Sequence, residues 1–91
     1  MSEISRTVEI RNKLGLHARA AATLVQVTSQ FECAIKIMKS GVETDGKSIL
    51  GMMSLAAGKG SQVTIRCDGH DQDDAMAAIV DVIENRFGED E

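Results

Sequence analysis

Apolar and polar residues alternate along three stretches of the chain, and recur at helical spacing along others. In residues 4–11, Ile4, Val8 and Ile10 fall on one side and Thr7, Glu9 and Arg11 on the other. That period of two predicts a strand with one dry and one wet face. Residues 31–38 repeat it, with Phe31, Cys33, Ile35 and Ile37 inward and Glu32 and Lys36 outward. So do residues 61–67, with Val63, Ile65 and Cys67 inward and Thr64 and Arg66 outward. Val42 to Thr44, between the turns Lys39-Ser40-Gly41 and Asp45-Gly46-Lys47, is a short further strand suited to a sheet edge.

Three helices are predicted between and after these strands. The first begins at His17 and runs to about Gln30, with Ala21, Leu24, Val25 and Thr28 on one face. Ser48 heads a second that reaches Leu55 or Ala57 and stops at Gly58 and Gly60. The third buries Met76, Ile79, Val80, Ile83 and Phe87. Its first turn is crowded with Asp71, Asp73 and Asp74, where the helix dipole favours negative charge, and Arg86 falls in its last turn. Gly88 ends it, and Glu89-Asp90-Glu91 reads as a frayed tail.

The order is β-α-β-β-α-β-α. Because every strand has one polar face, the fold expected is α+β: an open-faced two-layer sandwich. Three helices cover one side of a four-stranded antiparallel sheet. At 91 residues, without internal repeat or linker, the chain reads as a single domain spanning residues 1–91 with one modest core. No apolar run approaches a membrane span, and residues 1–10 lack the organisation of a secretory signal. Cys33 and Cys67 lie far apart inside apolar alternations, so they read as buried reduced thiols of a cytoplasmic protein rather than metal ligands or a disulfide. A net charge of −4, no Trp or Tyr, and only two Phe argue against a nucleic-acid partner and for protein partners with basic surfaces.

The chemistry concentrates in Gly15-Leu16-His17-Ala18-Arg19. A histidine at a helix start faces backbone N–H groups that lack internal partners, at the positive end of the dipole. A phosphoryl group on that imidazole would lie within reach of those donors, and Arg19 adds a fixed positive charge suited to a phosphate dianion. The same field favours neutral imidazole, the form with a lone pair able to attack phosphorus.

Preceded by Asn12-Lys13-Leu14, this stretch resembles the phosphorylation-site motif of the histidine-containing phosphocarrier protein (HPr) family of the bacterial phosphoenolpyruvate-dependent phosphotransferase system. The resemblance covers nearly the whole chain and implies the same sandwich fold. It implies that His17 is phosphorylated through Nδ1, with Arg19 as its charge partner. Enzyme I, charged by phosphoenolpyruvate, would be the donor and enzyme IIA proteins the acceptors. It further implies a monomeric carrier, with no cofactor and no metal, rather than an enzyme. The family usually has proline after the arginine; here the position is Ala20, a departure that touches the stiffness of the first helical turn. Carriers of sugar uptake and of the nitrogen-related regulatory branch are closely similar, and the second is the alternative assignment. Relatives that only regulate lack the histidine.

Gly46 to Leu55 also resembles the family. Ser48 is expected as an N-cap, and the resemblance makes it the target of a regulatory serine kinase. Ile49, Leu50, Met52 and Met53 are too many apolar residues for a short helix to bury; two would turn to the core and the rest form a patch for partners. The resemblance assigns Ala22, Ile49, Leu50 and Met53 to that docking face. Gly41 to Ser48 satisfies the pattern G-x-x-x-x-G-K-[ST] of nucleotide-binding loops, but Glu43 and Asp45 would set carboxylates where phosphates must sit, and the chain has no room for a parallel sheet. His70, flanked by Asp71, Asp73 and Asp74, reads as an exposed turn residue.

Overall fold

The computed structural model describes residues 2–91. Among them, four strands make one sheet: β1 (Ile4–Glu9), β2 (Ala34–Lys39), β3 (Val42–Asp45) and β4 (Gln62–Asp68). The spatial order is β1-β4-β2-β3 and every pairing is antiparallel, with Ile4 opposite Cys67 and Ile35 also opposite Cys67. Helices α1 (Ala18–Thr28), α2 (Ile49–Ser54) and α3 (Gln72–Glu84) supply the second layer. The fold is the expected open-faced α+β sandwich.

Alternation dictates which face is dry. Ile35 and Ile37 of β2 and Val63, Ile65 and Cys67 of β4 are buried. They pack with Leu24 of α1, Met52 of α2, and Ala75, Met76, Ile79, Val80 and Ile83 of α3 in one hydrophobic core. Burial pushes the Cys67 thiol up to about 12, with the neighbouring Cys33 adding to the shift. Cys33 is raised too, first by burial and then by Asp71, and both thiols are free. The opposite face is polar: Thr7 and Thr64 hydroxyls meet at 2.9 Å across β1 and β4, and Arg66 reaches Glu43 on β3 at 2.6 Å.

The element ends differ from the sequence expectation for identifiable reasons. Strand β1 stops at Glu9, although Ile10 is still buried: the Ile10 amide still reaches the Ser61 carbonyl opposite it, but the Ile10 carbonyl takes the Gly60 amide while the Ser61 amide turns to Gly58, and the regular ladder ends there. Helix α1 ends at Thr28 rather than near Gln30: the Ser29, Gln30 and Phe31 amides close the last turn, and the Thr28 hydroxyl donates to Gly46 O. On the inward face of α1, Val25 is half-buried and packs against the core. Strand β2 begins at Ala34, not Phe31, because the Asp71 carboxylate takes the amides of Glu32 and Cys33 at 2.8 and 3.0 Å.

The C-terminal correction is the largest. Helix α3 ends at Glu84, and Arg86 and Phe87 adopt left-handed φ of 56° and 54° inside a short 3-10 turn, Arg86–Gly88. Arg86 is therefore not in the last turn of α3, and Gly88 does not terminate it. Each left-handed non-glycine residue costs about 1–2 kcal/mol; burial of the Phe87 ring offsets that cost and turns the chain back over the start of α1. The tail is accordingly not frayed: the Lys13 amide donates to the Glu91 carbonyl.

The nucleotide-loop pattern is spread over antiparallel β3 and its turn, and the Lys47 ammonium is spent on the Phe31 carbonyl at 2.7 Å. No helix of the described residues is long and apolar enough to cross a membrane.

Candidate functional site

His17 is the N-cap of α1, in extended backbone conformation (φ −75°, ψ 180°). Its carbonyl accepts the Ala21 amide at 2.9 Å, and its side chain caps nothing. The amides of Ala18, Arg19 and Ala20 therefore stand ahead of the first helical hydrogen bond and meet no acceptor among the described residues. Ala20, where the family resemblance leads one to expect proline, is fully buried and keeps its N–H, so the helix start presents one donor more than a proline would leave.

The loop before His17 is fixed from both sides. Gly15 has φ +67°, a conformation natural to glycine, and a Cβ there would overlap the Ala57 carbonyl and Gly58 Cα. The Leu16 amide donates to that same Ala57 carbonyl at 2.9 Å. Asn12, fully buried, donates from Nδ2 to the Gly15 carbonyl at 2.8 Å, which closes the loop on itself.

Asn12 Nδ2 also donates to Glu89 Oε1 at 2.9 Å, and Glu89 Oε2 lies 2.6 Å from His17 Nε2. The Glu89 carboxyl is held below its ordinary 4.5, first by the Asn12 hydrogen bond, then by the His17 hydrogen bond and charge and by Arg19, against the opposing effect of burial. An ionised carboxylate only accepts hydrogen bonds, so His17 Nε2 carries the proton and, in the neutral ring, Nδ1 holds the lone pair. With 26% of its side chain exposed, His17 stays open to an incoming group. Arg19 is exposed and lines a cleft with Lys13, Leu14 and the tail residues Glu89, Asp90 and Glu91. An imidazole and free helix-start amides thus stand at the head of α1, and Glu89, which meets the ring, also lines the cleft that holds Arg19.

Ser48 lies apart from this cluster as the N-cap of α2, its Oγ accepting the Gly51 amide at 2.9 Å. Of the four apolar residues on α2, only Met52 turns to the core, not two. Gly51 abuts Thr44 of β3, and Ile49, Leu50 and Met53 remain exposed at 40%, 80% and 39%. Ala22 is half-buried on α1, the helix against which α2 packs. His70 is exposed beside Glu32, outside the cluster.

The family model for the phosphorylation site of the phosphotransferase-system HPr component matches residues 4–85, a span that contains His17. The phosphocarrier protein HPr of Cupriavidus necator is 50% identical over 88 residues, covering 97% of this chain and 99% of that one. The chain belongs to the HPr family. A crystal structure of HPr from Thermoanaerobacter tengcongensis superposes with a TM-score of 0.91 at 44% identity, with both chains covered in full. An HPr structure from Bacillus anthracis gives 0.87 at 38% identity, covering 91% of this chain and 99% of that one. Membership of the HPr family makes this chain a phosphoryl carrier of the phosphotransferase system, not an enzyme that turns over a substrate.

Sequence reasoning singles out His17 and Arg19 but gives Asn12 no role beyond its loop, and places Glu89 in a frayed tail. Asn12 was visible as part of the motif. Glu89 had no local signal, since its partner is 72 positions away.

Proposed function

We propose that this protein accepts a phosphoryl group on Nδ1 of His17 from phosphorylated enzyme I and passes it to enzyme IIA proteins. The observation that carries the proposal is the 2.6 Å contact between His17 Nε2 and the Glu89 carboxylate. With Nε2 tied to Glu89, the lone pair is on Nδ1, at the head of a helix whose first three amides are free. Phosphoryl transfer asks mainly for positioning and charge balance, and the guanidinium of Arg19 supplies a mobile counter-charge that does not trap the product. A partly open site suits a group that must arrive and depart. Ala22, Ile49, Leu50 and Met53 form the face that docks both partners, and the cytoplasm is where the cycle runs. Ser48 is a second, regulatory phosphorylation site. A phosphate at the head of α2 is tolerated by the helix and adds negative charge beside the docking face.

Incubation with enzyme I and phosphoenolpyruvate tests this. One phosphoryl group per chain is expected, in an acid-labile and alkali-stable linkage. His17→Ala takes up none, and Arg19→Ala takes it up about 10- to 100-fold more slowly, the loss expected for one charge-assisted contact in the transition state. Full activity in both variants contradicts the proposal.

A further inference from the structure

The contact between the C-terminal tail and the imidazole is built more elaborately than tethering requires. Phe87 is already buried and the Glu91 carbonyl already takes the Lys13 amide, so the tail is anchored on both sides of Glu89. Yet Asn12 spends its amide on orienting the Glu89 carboxylate and leaves its own Oδ1 buried without a partner among the described residues. An unpaired buried acceptor costs about 1–3 kcal/mol, and such costs gather where geometry serves function.

We propose that Glu89 is a positioning residue for phosphoryl transfer, holding the Nε2 proton of His17 through both halves of the cycle. This rests on His17 being the acceptor. In uptake, the Nδ1 lone pair forms the N–P bond while the donor's bond to phosphorus breaks, its electron pair staying with the donor. The proton remains on Nε2, so the phosphorylated ring carries a positive charge that the carboxylate balances at the 2.6 Å contact. In donation, a nucleophile of the acceptor bonds phosphorus as the N–P bond breaks, and the N–P electrons return to Nδ1. A ring that still has its Nε2 proton departs as neutral imidazole, a far better leaving group than imidazolate.

Arg19 from α1 and Lys13 from the preceding loop line the adjoining cleft with Glu89, and Asp90 and Glu91 share that cleft without touching the ring. Among the described residues, Glu89 is the carboxylate in hydrogen-bond contact with it.

The test compares phosphorylated wild type, Glu89→Gln and the double variant Asp90→Asn/Glu91→Gln, with transfer to an enzyme IIA protein followed from about pH 6 to pH 9. The Gln variant is expected to lose donation at lower pH than wild type, by about one unit, and to be about tenfold slower near pH 8. The double variant, which removes two negative charges rather than one, should nevertheless follow the wild type. Glu89→Ala, which removes contact and charge together, should match Glu89→Gln. Superimposable profiles for wild type and Glu89→Gln, both phosphorylated on His17, would overturn the positioning role. A wild type that takes no phosphoryl group on His17 would instead overturn the reading beneath it.

Discussion

At the scale of single residues, the site depends on a backbone that admits no substitute at Gly15. Its positive φ and the close approach of Ala57 and Gly58 together predict that Gly15→Ala costs about 2–4 kcal/mol, from left-handed strain plus overpacking. Urea unfolding should show this as a lower midpoint with an unchanged slope. His17 and Arg19 stood out as candidates in the sequence because what marks them is local: a glycine turn, then a helix start within a few residues. Glu89 did not. Three acidic residues after a glycine look like solvated chain, and nothing near them in sequence signals that Phe87 bends the chain back to His17.

At the scale of elements, polar side chains set the boundaries that periodicity leaves loose. The Lys39 ammonium takes the carbonyls of Leu55 and Ala56 beyond the end of α2, at 3.3 and 3.1 Å. Asp71, expected only as dipole complement to α3, also ties that helix to the start of β2 through the amides of Glu32 and Cys33. Its carboxyl is held below the ordinary 3.8, foremost by the Glu32 amide, as Glu89 is held below 4.5 by Asn12. For such lowered groups the unfolded chain takes up protons first as pH falls. Their stabilisation is therefore whole above about pH 5 and is lost as pH descends through the folded values. Thermal melts should show wild-type stability falling across that acid window, and Asp71→Asn should already be less stable at neutral pH, with a shallower acid decline. Strand alternation and the buried stripe of α3 were readable from one residue type against another. The ends were not, because Asp71 and Lys39 reach them from other parts of the chain.

Across the whole molecule, the sheet leaves one face polar, and the helical layer brings α1 and α2 side by side with His17 at the head of one and the exposed Leu50 on the other. Partners are expected to read both. Leu50→Asp should weaken binding of enzyme I and enzyme IIA proteins at least about tenfold in calorimetry, since a well-placed exposed apolar anchor carries that much. Its melting midpoint should stay near that of wild type. Met52→Ala should do the reverse, lowering stability by about 2–5 kcal/mol through a core cavity. The excess of apolar residues on α2 was evident from the sequence. That Met52 alone of the four is buried is a matter of tertiary packing, which the local sequence does not encode.

The most direct measurement is the nitrogen-15 and phosphorus-31 spectrum of the labelled protein after treatment with enzyme I and phosphoenolpyruvate. The account predicts one phosphorus resonance, coupled to Nδ1 of His17, in a ring still protonated at Nε2. Phosphorus on Nε2, on His70, or on neither histidine would contradict it.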